Sequence, residues 1–452
     1  MKRSLEWGCL LYLLYSLILA AGMLFSLPYW LFQMLRHGKY SRGLRERLGG
    51  VPERLRHATG PESQRSGTIW VHAVSVGEVL AVSGLIEEIQ HSFPRHRVVV
   101  STTTDTGQAL ARKIFGEENV FYFPMDFAFA IRPYLRALRP ALVVLAETEF
   151  WPNFLRLVRD SGARIAVVNA RLSDRSCPSY RRFRWALRRM LANIDLLLAQ
   201  TEEDGRRLQS IGAPAEKVTI TGNLKFDMML PAPPPIVDSL RRSLEQDAAG
   251  PVSVCGSTVE GEESLLLKAF EHVLVAHPRA VMILAPRHPE RFDNVASLLD
   301  QMGMRWWRRS LWDGQSIASG VLLIDSIGEL AALYGVADLA FVGGSLVPRG
   351  GHNILEPALH GVAIVVGNHT ENFRDIVGLF RSRDAVRIVG PAELPLIFME
   401  LLANDSERGA LGRRAAETVR SQTGATLRTL KGLEELLGKA GLLSSAPAVH
   451  TD

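Results

Sequence analysis

The sequence lacks several features that would assign it to a function class at once. Cysteine occurs only as Cys9, Cys177 and Cys255, with no Cys-x-x-Cys, so no disulfide framework can form and a reducing compartment fits. No Gly-x-x-x-x-Gly-Lys-Ser/Thr is present, which sets aside P-loop phosphotransfer, and no Gly-x-Gly-x-x-Gly follows the first strand of either half. Asp-x-Asp is absent, and the histidines and cysteines lack metal-ligand spacing. There is no low-complexity tract, and 47% hydrophobic with 22% charged residues excludes disorder and fibre. Charge of one sign is scarce too. The 52 Lys+Arg against 47 Asp+Glu leave +5, which suits acidic lipid, nucleic acid or phosphorylated substrate equally.

What is present begins with length. At 452 residues the chain exceeds the roughly 250 to 300 at which one core stops growing, so two domains are expected. Residues 7–35 carry no charged side chain, a run long enough to cross roughly 30 Å of hydrocarbon and too long for a signal-peptide apolar region. An uncleaved N-terminal anchor over 1–35 is expected. Tyr12, Tyr15, Tyr29 and Trp30 suit the interfaces, and Pro28 suits a kink or the end of the span. Arg36, Lys39, Arg42, Arg45, Arg47 and Arg54 follow the run, whereas only Lys2 and Arg3 precede it, which puts the body on the cytoplasmic face. A helix lying in the interface would hold it on the same face.

Beyond the anchor, short apolar runs alternate with helix-length segments at 68–74, 97–101, 120–123, 141–146, 164–169, 194–199 and 218–221. That alternation predicts a parallel α/β domain over 36–230. The segment 231–236, opening Pro-Ala-Pro-Pro-Pro, reads as a stiff linker. Strand runs then resume at 251–255, 280–285, 321–324, 338–342 and 362–366, giving a second α/β domain over 237–438 and a tail over 439–452. Two doubly wound domains leave a cleft, and ligands of such sheets bind at the C-terminal strand ends.

Those strand ends carry the polar candidates. Glu78 stands three residues after Ser75 at the start of a helix, where it either satisfies the Ser75 amide as a capping box or, with an ordinary pKa, acts as general base on a hydroxyl. Glu147 and Glu149 directly follow the strand 141–146 and either contact substrate hydroxyls or amines or simply end the strand. Asn169, Arg171 and Ser173 follow the next strand. After them Arg175, Arg181, Arg182, Arg184, Arg188 and Arg189 surround an expected apolar helix face of Tyr180, Phe183, Leu187 and Met190, which suits either anionic lipid or a solvated helix.

In the second half, Gly343-Gly-Ser-Leu-Val-Pro-Arg-Gly-Gly-His-Asn353 runs into Ile-Leu-Glu356-Pro. Four glycines bring backbone amides towards a ligand, and Asn353 as N-cap with Glu356 three residues on predicts a helix N-terminus that attracts phosphate, or again only a capping box. Gly256-Ser-Thr258 and Pro286-Arg287-His288-Pro289 face the same edge, with Arg287 suited to phosphate. A nucleotide-sugar site without a bridging metal, and with no other cofactor, fits these residues.

At these positions the sequence resembles the 3-deoxy-D-manno-octulosonic acid (Kdo) transferase family. The matching stretches are His72-Ala-Val-Ser-Val-Gly-Glu78, Glu147-Thr-Glu-Phe-Trp-Pro-Asn153, Asn169-Ala-Arg-Leu-Ser173, Thr221-Gly-Asn-Leu-Lys-Phe-Asp227, Ala285-Pro-Arg-His-Pro-Glu-Arg-Phe292, Phe341-Val-Gly-Gly-Ser345 and Gly350-Gly-His-Asn-Ile-Leu-Glu-Pro-Ala358. The resemblance implies a GT-B fold, with CMP-Kdo as donor and a lipid A precursor (lipid IVA) as acceptor. It implies Glu78 as base for an inverting transfer at the cytoplasmic face of the inner membrane. It also implies CMP contacts from Arg287, Ser345, Asn353 and Glu356, with Ile327 reaching the base through its backbone. Glu147, Glu149, Asn169 and Arg171 are expected on the acceptor side or in the cleft, the roles of the two glutamates staying open. The chain departs from the family pattern at Val259, where His is common, and at Asp105, where Pro is usual. Alternatives are another GT-B enzyme using a UDP- or ADP-sugar on lipid, and a non-catalytic, membrane-tethered nucleotide-binding protein. Anionic inner-membrane lipid is the expected partner besides the acceptor, and nucleic acid is not needed.

Overall fold

The computed structural model describes residues 2–37, 43–56, 67–173, 176–230 and 232–440. The chain divides into two compact units, one comprising Met1–Met228 together with Thr423–Asp452, the other Met229–Gln422. This differs from the expected boundaries at the C-terminal end, where the last helix returns to the first unit. Lys39, Arg42, Arg175 and Pro231, and the tail from 441 onward, lie outside the described residues.

The first unit holds a seven-stranded sheet of β1 (Thr68–His72), β2 (Arg97–Thr102), β3 (Val120–Tyr122), β4 (Pro140–Ala146), β5 (Arg164–Ala170), β6 (Leu196–Ala199) and β7 (Val218–Ile220). The order is β3-β2-β1-β4-β5-β6-β7. Every pairing is parallel. The near-continuous Ala, Leu and Val of β4 follow from burial on both faces. Successive β1 residues point to opposite sides: Trp70 packs with Phe121, Tyr134 and Phe154, while Ile69 and Val71 pack with Leu85 and Leu433. The chain order reverses between β1 and β4, which makes their C-terminal ends a ligand-binding switch point. Asp105 sits where the loop after β2 enters a helix. The residue takes the first position of the helix Asp105–Phe115, a place proline also fits, and its carboxylate accepts from the Tyr122 hydroxyl at 2.8 Å.

Leu433 belongs to the helix Ala425–Lys439, whose Ala425, Leu430, Leu433 and Leu437 complete that second core layer. Gly424 has no side chain with which to cap this helix. Asp227 does so instead, its Oδ1 accepting the Gly424 amide at 2.6 Å and its Oδ2 the Thr426 amide. Loss of a helix cap costs on the order of 1 to 2 kcal/mol, so Asp227→Ala is expected to lower the unfolding midpoint and to make the last helix the first site of limited proteolysis. Unchanged midpoint and cleavage pattern would contradict the cap.

The N-terminal run does form one helix, Lys2–His37, with Pro28 inside it. Among the described residues, however, no helix is long and apolar enough to cross a membrane. Around residues 12–16 one side of this helix, carrying Tyr12, Tyr15 and Ser16, is turned to the protein, while Leu13 and Leu14 are exposed. The Arg156 guanidinium lies 4.9 Å from the Tyr12 ring centroid, Asn193 donates to the Tyr12 hydroxyl at 3.1 Å, and Asn153 donates to Ser16 Oγ at 2.9 Å. Asp126 accepts both the Tyr15 hydroxyl and the first amides of the helix Pro152–Asp160. The expected basic amphipathic helix is two short helices, Cys177–Arg182 and Arg184–Leu191, parted at Phe183. Tyr180, Leu187 and Met190 pack on the core, but the break leaves Phe183 exposed.

The second unit repeats the plan with β8 (Val252–Thr258), β9 (Val281–Pro286), β10 (Trp306–Arg308), β11 (Gly320–Leu323), β12 (Leu339–Val342), β13 (Ala363–Gly367) and β14 (Arg387–Val389), ordered β10-β11-β9-β8-β12-β13-β14. Its switch point lies between β8 and β12. Pro235, expected in the linker, opens the helix Pro235–Gln246, where a first-turn proline costs no hydrogen bond.

Candidate functional site

In the first unit, the loop after β1 enters the helix Val76–Ser92 and places Glu78 in its first turn. The capping box is not formed. Glu78 Oε2 accepts the amide of Val74 rather than that of Ser75, at 2.8 Å, and the Ser75 hydroxyl donates to Oε1 at 3.1 Å instead of capping the helix. Burial raises the Glu78 pKa to about 7; Glu147 and Glu149 push the same way, against the hydrogen bonds from Val74 and Ser75. The carboxyl therefore titrates near neutrality and not in its ordinary range, as suits a general base working near pH 7.

Glu147 and Glu149 follow β4, the strand beside β1 at the switch point. Glu147 has φ 56°, a left-handed conformation costly for a residue with a side chain, and strain of this kind concentrates at functional sites. Arg171 Nε lies 3.6 Å and Lys225 Nζ 3.7 Å from its carboxylate oxygens. Both cations stand beside Glu147. Glu149 accepts from Trp151 Nε1 at 3.0 Å, and burial raises its pKa. Asn169 is a brace: its Oδ1 accepts the Leu224 amide at 3.0 Å and its carbonyl accepts Gln200 Nε2 at 2.9 Å, which holds the Lys225 segment in place. Lys225 lies in the matching stretch Thr221–Asp227, but spacing alone gives a lone lysine in a turn no role.

In the second unit, the glycine-rich loop after β12 departs most from expectation. The amides of Gly344, Ser345 and Leu346 converge on the protein's own Glu262 carboxylate, at 2.7, 2.9 and 2.8 Å, and the Val259 amide joins them at 3.0 Å. These amides are already satisfied and do not await a phosphate. A side chain at Gly343 is impossible, since a Cβ would lie 2.5 Å from the Ser257 carbonyl and 2.8 Å from Glu262 Oε2. Val259 takes part through its backbone amide, and its side chain is buried. Ser345 is fully buried; its hydroxyl donates to the Val342 carbonyl at 2.6 Å and accepts the Gly367 amide at 2.8 Å, so it locks the loop to β13. Glu262 had one sequence signal, the acidic pair Glu262-Glu263 opening a helix after the β8 turn.

Nor is Asn353 the N-cap. The helix beyond it, Leu355–Leu359, has only five residues and starts after Ile354, and Asn353 Oδ1 accepts the Leu355 amide at 3.1 Å in a side-chain turn. So short a helix offers little macrodipole, and anion binding must come from side chains and other amides. Arg287, exposed after β9, supplies charge. Its guanidinium acts on Glu356, whose carboxyl burial holds above the ordinary range, and on His352, which burial first and then Arg287 and His288 bring down to about 4. Asn353 donates to Glu356 Oε1 at 3.3 Å. Ile327 projects from the loop after β11, 79% exposed, on a turn clamped by the Arg309–Glu329 pair at 2.8 Å. Arg287, His352, Asn353 and Glu356 form one cluster; Ile327 is placed on a separate loop.

The model for the 3-deoxy-D-manno-octulosonic-acid transferase (kdotransferase) family matches residues 42–228. Among solved structures, a putative UDP-N-acetylglucosamine 2-epimerase from Listeria monocytogenes aligns with TM-score 0.55 at 12% identity, covering 83% of this chain and 97% of that one, a likeness of fold alone. A 3-deoxy-D-manno-octulosonic acid transferase of Bordetella pertussis is 37% identical over 82% of this chain and 87% of its own length. One of Haemophilus influenzae is 35% identical over 88% of this chain and 92% of its own. With likeness of that depth running through both units, the chain belongs to the 3-deoxy-D-manno-octulosonic acid (Kdo) transferase family.

Proposed function

We propose that the chain transfers Kdo from CMP-Kdo to a lipid A-type acceptor, with lipid IVA as the specific acceptor, in lipopolysaccharide synthesis. The observation that carries this reading is Glu78, a carboxyl with a pKa of about 7 at the switch point of the first sheet. Its carboxylate takes the proton of the acceptor hydroxyl as that oxygen bonds to the anomeric carbon of Kdo. The bond from that carbon to the phosphate oxygen breaks, CMP leaves with the electron pair, and the configuration inverts. Arg287 offsets the phosphate charge, Asn353 and Glu356 bind the nucleotide with Glu356 suited to the ribose hydroxyls, and Ile327 meets the base through its backbone. Ser345 serves by holding the loop. Glu147, Glu149, Asn169 and Arg171 serve the acceptor side or the cleft, the roles of the two glutamates staying open. No metal or other cofactor takes part.

The working place is the cytoplasmic face of the inner membrane, against anionic lipid. In support, the N-terminal helix exposes Leu13, Leu17, Ile18, Leu24 and Phe25, a surface fit for burial in lipid, with Arg36 exposed in its last turn and Arg45 exposed beyond it. Purified protein is incubated with lipid IVA, chelator and labelled CMP-Kdo, then with UDP-sugars, and the lipid product is weighed by mass spectrometry. The expected product gains Kdo from CMP-Kdo alone. Transfer solely from a UDP-sugar would sink the donor assignment, and a requirement for added metal would sink the metal-free mechanism.

A further inference from the structure

A carboxylate accepts about four hydrogen bonds, and Glu262 makes all four with backbone amides: Oε2 takes Val259 and Gly344, Oε1 takes Ser345 and Leu346. The residue is fully buried. Successive amides turned on one point form the concavity that elsewhere binds a phosphate or another anion. We infer that Glu262 is a positioning residue, an anion built into the fold that fixes the glycine-rich loop in its donor-ready shape before any nucleotide arrives.

The inference rests on the donor reading of this unit, and the connection to the donor residues is short. The Gly344 carbonyl, next to the amide that Glu262 holds, accepts the Gly351 amide at 2.7 Å. The His352 ring lies against the same glycine, where a Cβ would come within 2.8 Å of both Cδ2 and Nε2. Asn353 is the next residue. Fixing Gly344 therefore fixes the segment that carries His352 and Asn353. Charge is needed, not only shape. A glutamine would turn an N–H group towards amides that are themselves donors, and a neutral carboxylic acid would give up one accepting site.

Glu262→Gly empties the nest and leaves space for propionate, the severed side chain as a free anion. Buried amides without partners are costly, so the Kd for CMP and the KM for CMP-Kdo are expected to rise about tenfold or more, with the acceptor KM unmoved. Propionate restores nucleotide affinity, and chloride at equal ionic strength does not. Unaltered CMP affinity, or affinity that propionate fails to restore, overturns the inference. Should the glycine variant not fold, Glu262→Gln is measured, and CMP affinity equal to the parent's overturns it equally. Amide hydrogen exchange at Gly344, Ser345 and Leu346 reads the loop with no nucleotide present. Exchange that is slow in the parent, accelerates in Glu262→Gly and slows again with propionate supports the nest even where CMP-Kdo proves not to be the donor.

Discussion

Glu78→Gln is expected to lower kcat by about 10²- to 10⁴-fold, the usual contribution of a positioned general base. The substitution keeps an oxygen to accept the Val74 amide, so folding should survive. The pH dependence supplies the sharper readout. A base must be deprotonated, and burial raises the Glu78 pKa to about 7; kcat/KM of the parent is therefore expected to climb with pH through about 7 and then level off. In Glu78→Gln that climb disappears. The stability consequence has the opposite sign. Because the folded-state pKa lies above the ordinary carboxyl value of 4.5, the fold favours the protonated form, and stability falls as pH rises from about 4.5 through 7. Solvent reaches part of this carboxyl, so the slope is shallow, and Glu78→Gln should flatten it further. A pH profile identical in parent and variant would remove Glu78 from the reaction.

Arg291→Met is expected to cost about 3 to 5 kcal/mol of stability, since it leaves a buried carboxylate without its counter-ion. Arg291 Nη1 and Nη2 meet Glu263 Oε1 and Oε2 at 2.5 and 3.1 Å, and the Glu263 side chain is 2% exposed. Thr258 donates to the same carboxylate at 2.9 Å. Denaturant unfolding measures the loss. Adding Glu263→Met to Arg291→Met should recover much of it, because two apolar groups of similar size replace a pair whose desolvation is itself unfavourable. A double variant no more stable than Arg291→Met would show that Glu263 is held by Thr258 and the helix start rather than by the arginine. Nucleotide affinity should fall as well, since Arg287 leads into the turn that carries Arg291.

Strand periodicity carried most of the fold into the sequence. Twelve of the strands lie within a few residues of their apolar runs, because a parallel sheet covered on both faces demands unbroken Val, Ile and Leu. The two it did not reveal, Trp306–Arg308 and Arg387–Val389, are three-residue edge strands with one neighbour each, and half-buried positions tolerate Arg and Trp. Local spacing was less reliable at the site. The offset from Ser75 to Glu78 matches a capping box, yet the carboxylate reaches one residue further back, to Val74. The glycines announced a loop with amides to spare but not what fills it, since Glu262 is separated from Gly344 by β9 to β12 and only the sheet brings them together. Lys225 and its partner Glu147, and Asp227 and the last helix, are also far apart in sequence. Such pairings follow from topology, which composition and spacing do not encode.

The return of Ala425–Lys439 to the first unit bears on how the chain is made. Its Leu433 and Leu437 complete a core layer begun by Ile69 and Val71. A ribosome therefore releases every strand of the first sheet long before that layer can close, whereas the second unit, running from Met229 to Gln422, is complete as soon as it emerges. The unit that begins first finishes last. In the interval Ile69, Val71 and Leu85 lack one wall of their cover, the exposure on which holding chaperones act. Nonsense mutations near the C-terminus should for the same reason damage the half of the protein that lies furthest from them in sequence.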